Sequence, residues 1–107
     1  MDTFQIILLI QETLTEGFKW MKPKPQILVW ENEFHDGVEV LVASDYFAGM
    51  YQHKREELVW EVFDRSLPWN MIKLVTTLFV LTRRQAKSLL ASQEPTTEPL
   101  YTSNNRM

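Results

Sequence analysis

Two histidines, two short basic runs and a hairpin crowded with carboxylates are the side chains of this chain that could do chemistry. His35 stands among Glu31, Glu33, Asp36 and Glu39. An imidazole can ligate a metal, but one without a second protein ligand does not define a metal site. The surrounding acids could attract a hard cation, yet their spacing fits no calcium loop, so the segment reads as a solvated hairpin end. His53-Lys54-Arg55 opens a helix, where free amides and the macrodipole favour an anion and the cations would add charge-assisted bonds. Glu56 and Glu57 follow at once and oppose a phosphate chain. Helical spacing pairs Lys54 with Glu57 and sets His53 four residues before the same carboxylate, leaving Arg55 as the freer cation on a solvated face. Arg83, Arg84 and Lys87 form a second basic patch at the start of a later helix.

Composition removes several kinds of chemistry. There is no cysteine, hence no disulfide, thiolate nucleophile, Cys zinc site or self-contained iron–sulfur site. The three glycines, Gly17, Gly37 and Gly49, never stand at Gly-x-x-Gly spacing, which disfavours a KH-type RNA clamp and excludes the P-loop and dinucleotide fingerprints. Neither histidine has a neighbourhood that suggests a Ser-His-carboxylate triad, and no carboxylate pair is marked for acid–base work. The expectation is a protein that is not an enzyme and carries no cofactor of its own. A net charge of −3 counts against a surface built for nucleic acid as a whole. The apolar run 74–81 is less than half of what a membrane span needs, and no secretory leader is visible, so a cytoplasmic protein without a membrane partner is expected.

The elements that must position these groups follow from periodicity and turn chemistry. Residues 3–18 carry Phe4, Ile7, Leu8, Leu14 and Phe18 at helical spacing, and Lys22-Pro23-Lys24-Pro25 then enforces an extended linker. A strand over 27–33, an Asp36-Gly37 turn and an alternating strand from Val38 make a hairpin. The helix over 51–66 sets Tyr51, Leu58, Val59, Val62 and Phe63 on one side, and a short helical turn follows Pro68. Residues 73–81 are apolar on both parities, as an interior strand would be. Thr82-Arg83-Arg84-Gln85 has the form of a capping box that starts a helix to about residue 91. Trp30 and Trp60 are expected half-buried in regular elements. Trp20 and Trp69 are candidate interface anchors, although packing under a loop accounts for both. The expected class is α+β: a three-stranded mixed sheet packed with helices, in the order α-β-β-α-(short α)-β-α. Residues 1–91 form one such domain, and a right-handed crossover sets the third strand parallel to the second. The Ser-, Thr-, Pro- and Asn-rich residues 92–107 are expected to be disordered.

This order resembles that of BolA-like proteins, whose fold is related to the class II KH fold. Asn32-Glu33 with His35 is similar to the family's Asn-Glu-Ser segment and its nearby histidine. Val42-Ala43-Ser44-Asp45 with Phe47-x-Gly49 resembles its strand end and Phe-x-Gly turn. Arg55 falls eight residues after Phe47, where the family has its first arginine, and Leu58-Val59-Trp60 matches its apolar-Val-Tyr. The likeness covers roughly residues 8–90. Two departures stand out. The family's Arg-His-Arg is here Arg55-Glu56-Glu57, and its histidine at the start of the third strand is replaced by Leu74 or Lys73. The resemblance implies that this missing histidine would ligate iron in a [2Fe–2S] complex with a monothiol glutaredoxin. Neither leucine nor a protonated lysine can take its place.

The resemblance therefore implies a non-catalytic adaptor or regulator that acts by binding a protein, a monothiol glutaredoxin being the family's partner, with iron–sulfur ligation in doubt. The alternative is a nucleic-acid-binding transcriptional regulator that uses Lys54, Arg55, Arg83, Arg84 and Lys87. A further alternative is a structural subunit of a larger assembly.

Overall fold

The structure, a computed structural model, describes residues 1–93. In chain order it comprises α1 (Thr3–Gly17), β1 (Gln26–Glu31), β2 (Val38–Ala43), α2 (Gln52–Ser66), the single turn α3 (Trp69–Ile72), β3 (Val75–Leu81) and α4 (Arg83–Gln93), with a 3-10 turn over Asp45–Phe47. The fold is α+β with a three-stranded mixed sheet in the order β1-β2-β3. β1 runs antiparallel to β2, and β3 runs parallel to it, as the crossover through α2 requires. This element order is the one the resemblance implies. The expected tail over 92–107 begins inside α4, whose last turn reaches Gln93; the rest of it lies outside the described residues.

The two parities of each strand serve two different cores. Val38, Val40 and Val42 of β2, with Ile27, Val29, Leu78 and Val80 from its neighbours, meet Ile10 and Leu14 of α1 and Val59, Val62 and Phe63 of α2. On the opposite face Leu41 and Ala43 join Leu28, Trp30, Phe79 and Leu81 beneath Ala86, Leu89 and Leu90 of α4. Each fully buried Val, Leu or Phe side chain contributes about 1.5–3 kcal/mol, so the larger cluster carries most of the stability. Trp30 and Trp60 are half-buried, as expected; Trp30 stacks on Phe79 across β2 and donates through Nε1 to Glu39.

Four expectations are corrected. β3 reads as an interior strand but lies at the sheet edge, with β2 in the centre. Its apolar residues on both parities reflect two covered faces, not two neighbouring strands. On α1 the buried stripe runs through Ile10, Leu14 and then Phe18, so Phe4 and Leu8, expected on that stripe, are exposed. Tyr51, expected on the inner side of α2, precedes the helix as its cap residue and is exposed. β1 ends at Glu31, because Asn32 turns into the hairpin and spends its amide there. Its Nδ2 donates to Asp36 and to Thr76 of β3, and its Oδ1 accepts from the Asp36 amide. Gly37 is required at the end of this loop, since a Cβ there would stand 2.6 Å from the Leu74 carbonyl oxygen.

Candidate functional site

The Phe-x-Gly turn and the first turns of α2 are joined by hydrogen bonds. Ser44 closes β2 fully buried; its hydroxyl donates to the Pro23 carbonyl at 2.6 Å and accepts from the Tyr46 amide at 3.1 Å. Phe47 then drops its ring into the main core, and Gly49 takes a φ of +81°, the left-handed region that favours glycine. Apart from its own chain neighbours, nothing lies within 4 Å of where a Cβ would sit at Gly49, so conformation, not space, sets the residue there. Val59, a turn further into α2, is fully buried against the same core.

Arg55 is the residue whose place the sequence misjudges most. Expected as the freer cation of a solvated face, it is 7% exposed. Its Nε donates to the Met50 carbonyl, and its Nη1 donates to the Val80 carbonyl at 3.2 Å and to Gln85 Oε1 at 2.9 Å. The guanidinium thus ties the Phe-x-Gly turn, the outer edge of β3 and the first turn of α4 to one another. Its five donors in a planar fork suit this work, and its position is structural. A clue was present in the sequence: at three and four residues Arg55 meets only Leu58 and Val59, which places it toward the apolar side of α2.

The other candidate cations remain at the surface. Lys54 pairs with Glu57 at 3.6 Å, both exposed, a contact of little energetic weight. His53 is exposed and stacks on the Tyr51 ring, with centroids 6.1 Å apart. Arg83, Arg84 and Lys87 line one groove of about 680 Å³ together with Gln26 and Leu90. The helix start behind them is capped. Gln85 N donates to Thr82 Oγ1, Thr82 N donates back to Gln85 Oε1, and Arg83 N donates to Asp45 Oδ1. The capping box is formed as the spacing indicates, and with the Arg83 and Gln85 amides taken, α4 offers an anion chiefly its side chains.

At the opposite end of the sheet, His35 has a φ of +59°, is exposed, and holds Nδ1 at 3.0 Å from Glu31 Oε1. It shares a shallow pocket of about 190 Å³ with Thr3, Ile6, Asp36, Gly37 and Leu74. The fold therefore brings His35 beside Leu74, one of the two positions where the resemblance puts the missing histidine, while Lys73, the other, caps α3 and faces solvent. One imidazole held by a carboxylate, next to a hydrocarbon, does not fit a cluster that needs soft or imidazole donors from this chain. Among the described residues no three His, Asp or Glu side chains group to hold a metal ion.

A third region is the linker between α1 and β1. Phe18 and Met21 are buried beneath it, and a cleft of about 700 Å³ runs alongside, bounded by Gln11 and Thr15 of α1 and by Lys22, Pro23, Lys24 and Pro25. Lys19 forms an exposed ion pair with Glu16, whose hydrogen bond and charge hold the ammonium above the ordinary lysine range. Trp20 and Trp69 are not packed away under loops; both are exposed. No helix among the described residues is long and apolar enough to cross a membrane.

No family model matches the chain, and no curated protein matches it. Among solved structures it is similar to BolA1 from Arabidopsis thaliana, with a TM-score of 0.49 and 16% identity over 84% of this chain and 96% of that one.

Proposed function

We propose that this chain is a non-catalytic BolA-like adaptor that acts by binding another protein. The observation that carries the reading is how the polar and aromatic side chains are divided between interior and surface. The buried polar side chains Asn32, Ser44 and Arg55 are all spent on hydrogen bonds that hold turns and strands together. The rings of Phe4, Trp20, Phe34, Tyr46, Tyr51 and Trp69 face solvent instead. Large aromatic rings, four of these six with a polar O–H or N–H, are the groups that anchor protein interfaces, whereas catalysis needs polar groups held ready in a cleft. The sequence motifs and the element order support the BolA-like part of the reading. A monothiol glutaredoxin is the partner they suggest, bound without an iron ligand at position 74.

A second reading, a nucleic-acid-binding regulator, draws on the groove shared by Arg83, Arg84 and Lys87. With Arg55 withdrawn into the fold, it has fewer cations than the sequence alone offers it. Isolation of the tagged full-length protein from its own cells separates the two. The adaptor reading expects a protein partner in stoichiometric amount, retained at about 0.5 M salt, where charges more than a few ångströms apart are screened. Recovery of nucleic acid alone, lost steeply with salt and on Arg83→Glu with Arg84→Glu, would replace it with the second reading.

A further inference from the structure

We infer that the linker of residues 18–25 and the cleft beside it form the docking site for an acidic, apolar-bearing segment of a partner protein. The inference rests on the adaptor reading and names the surface and the partner chemistry it would use. Three features meet here. The first is a ladder of four rings that rises from the core to the surface. Phe18 lies edge-on to Trp20 with centroids 6.1 Å apart, Trp20 to Tyr46 at 5.2 Å, and Tyr46 to Phe47 at 5.9 Å. Phe18 and Phe47 are buried, whereas Trp20 is 49% and Tyr46 39% exposed. The outer rings are therefore braced from within, and a partner gains their contact area with little further ordering.

The second feature is the cleft itself, whose apolar lining comes from Phe18, Met21, Pro23, Pro25 and Ile27. Its volume of about 700 Å³ lies in the range of sites that hold a ligand. The third is charge. Lys19, Lys22 and Lys24 border the cleft, and Glu16, already paired with Lys19, is the only acid among its lining residues. The linker is also held in place: the Met21 amide donates to the Phe18 carbonyl, and buried Ser44 donates to the Pro23 carbonyl. An apolar trough with a lysine rim, and the braced Trp20–Tyr46 pair outside the trough's own lining, complement a segment that alternates carboxylates with apolar side chains. A phosphate chain fits less well, because the lining is mainly hydrocarbon and Trp20 already has its neighbour Tyr46 against it.

The test uses the full chain and a fluorescein-labelled Glu/Leu peptide of about twelve residues, roughly 40 Å when extended. Comparison probes replace Glu by Lys, replace Leu by Ser, or substitute an oligothymidylate for the peptide. The Glu/Leu peptide is expected to bind best, and Trp20→Ala, or Lys22→Glu with Lys24→Glu, to weaken it by about tenfold. Lys73→Glu, at the other end of the sheet, is expected to leave binding unchanged. Circular dichroism confirms that each variant is folded, and the comparison of probes on the unaltered protein needs no variant. Absence of peptide binding, equal binding of the Lys peptide, preference for oligothymidylate, or indifference to both linker variants would overturn the inference. A native partner that both linker variants still retain would remove this site and leave the adaptor reading standing.

Discussion

Arg55 donates to three oxygens, none of them a carboxylate, from a site almost closed to water. Hydrogen bonds to a charged group contribute about 1.5–3 kcal/mol each way they are counted, and a lost partner leaves its buried mate unsatisfied. Arg55→Ala would leave the Met50 carbonyl without its donor and the Val80 carbonyl with only the longer bond from Gln52 Nε2, so a loss of about 3 kcal/mol is expected. Arg55→Lys should recover less than half of it, because a single ammonium cannot span oxygens that the planar fork reaches in different directions. Urea unfolding followed by Trp fluorescence checks both, with the midpoint moving and the slope unchanged. A variant as stable as the parent would mean that the arginine acts outward after all. Gly49 and Phe47 belong to the same unit, since the turn they shape is the one whose end the Arg55 Nε grips at Met50.

At the scale of elements, α4 is tied to the rest at its first turn, and that turn is where it should be weakest to change. Thr82→Ala removes one cap acceptor and should cost about 1 kcal/mol. Gln85→Ala should cost more, because Gln85 Oε1 accepts from both the Thr82 amide and Arg55 Nη1. Amide exchange should quicken first in the opening turn of α4 in both variants, and the reverse order of stabilities would refute this account of the cap. The capping box was legible in the sequence because both partners lie within four residues; so were the hairpin and the crossover, set by turn chemistry and chain handedness. What depends on contacts distant in sequence was not. The burial of Arg55 is settled by Val80 and Gln85, well beyond the helix it sits in. The edge position of β3 was hidden because coverage on both faces and neighbours on both sides leave the same apolar pattern. Phe4 and Leu8 fit a helical period, but α1 packs on the neighbouring stripe through Ile10 and Leu14. Of the candidate site, the pairing of Trp20 with Tyr46 joins segments distant in sequence that the Gln26–Ala43 pairing and Ser44 bring together.

Over the whole molecule, a net charge of −3 conceals two unlike ends. The strand ends at Gln26, Ala43 and Leu81 lead into Lys22, Lys24, Arg83 and Arg84, while the ends at Glu31 and Val38 enclose Glu33, Asp36 and His35. The linker cleft and the His35 pocket are therefore far ends of one sheet, and a partner seated at the first leaves the second uncovered. This separation frames the question of cluster chemistry. Of the two places where the resemblance asks for imidazole, the first holds His35, with Glu31 at its Nδ1, and the second holds the hydrocarbon of Leu74 or the ammonium of Lys73. Thiolate and imidazole are the donors that suit iron–sulfur clusters, so the unaltered chain co-expressed with a monothiol glutaredoxin is expected to yield no complex with visible cluster absorbance. Leu74→His sets a second imidazole in the pocket that already holds His35, with Glu31 placed to orient the first ring. That variant is expected to give a coloured complex with the same glutaredoxin, and His35→Ala in the same background to bleach it. A red complex formed by the unaltered chain and lost on His35→Ala would show that one imidazole suffices, and the proposed binding role would then run through the cluster rather than without it.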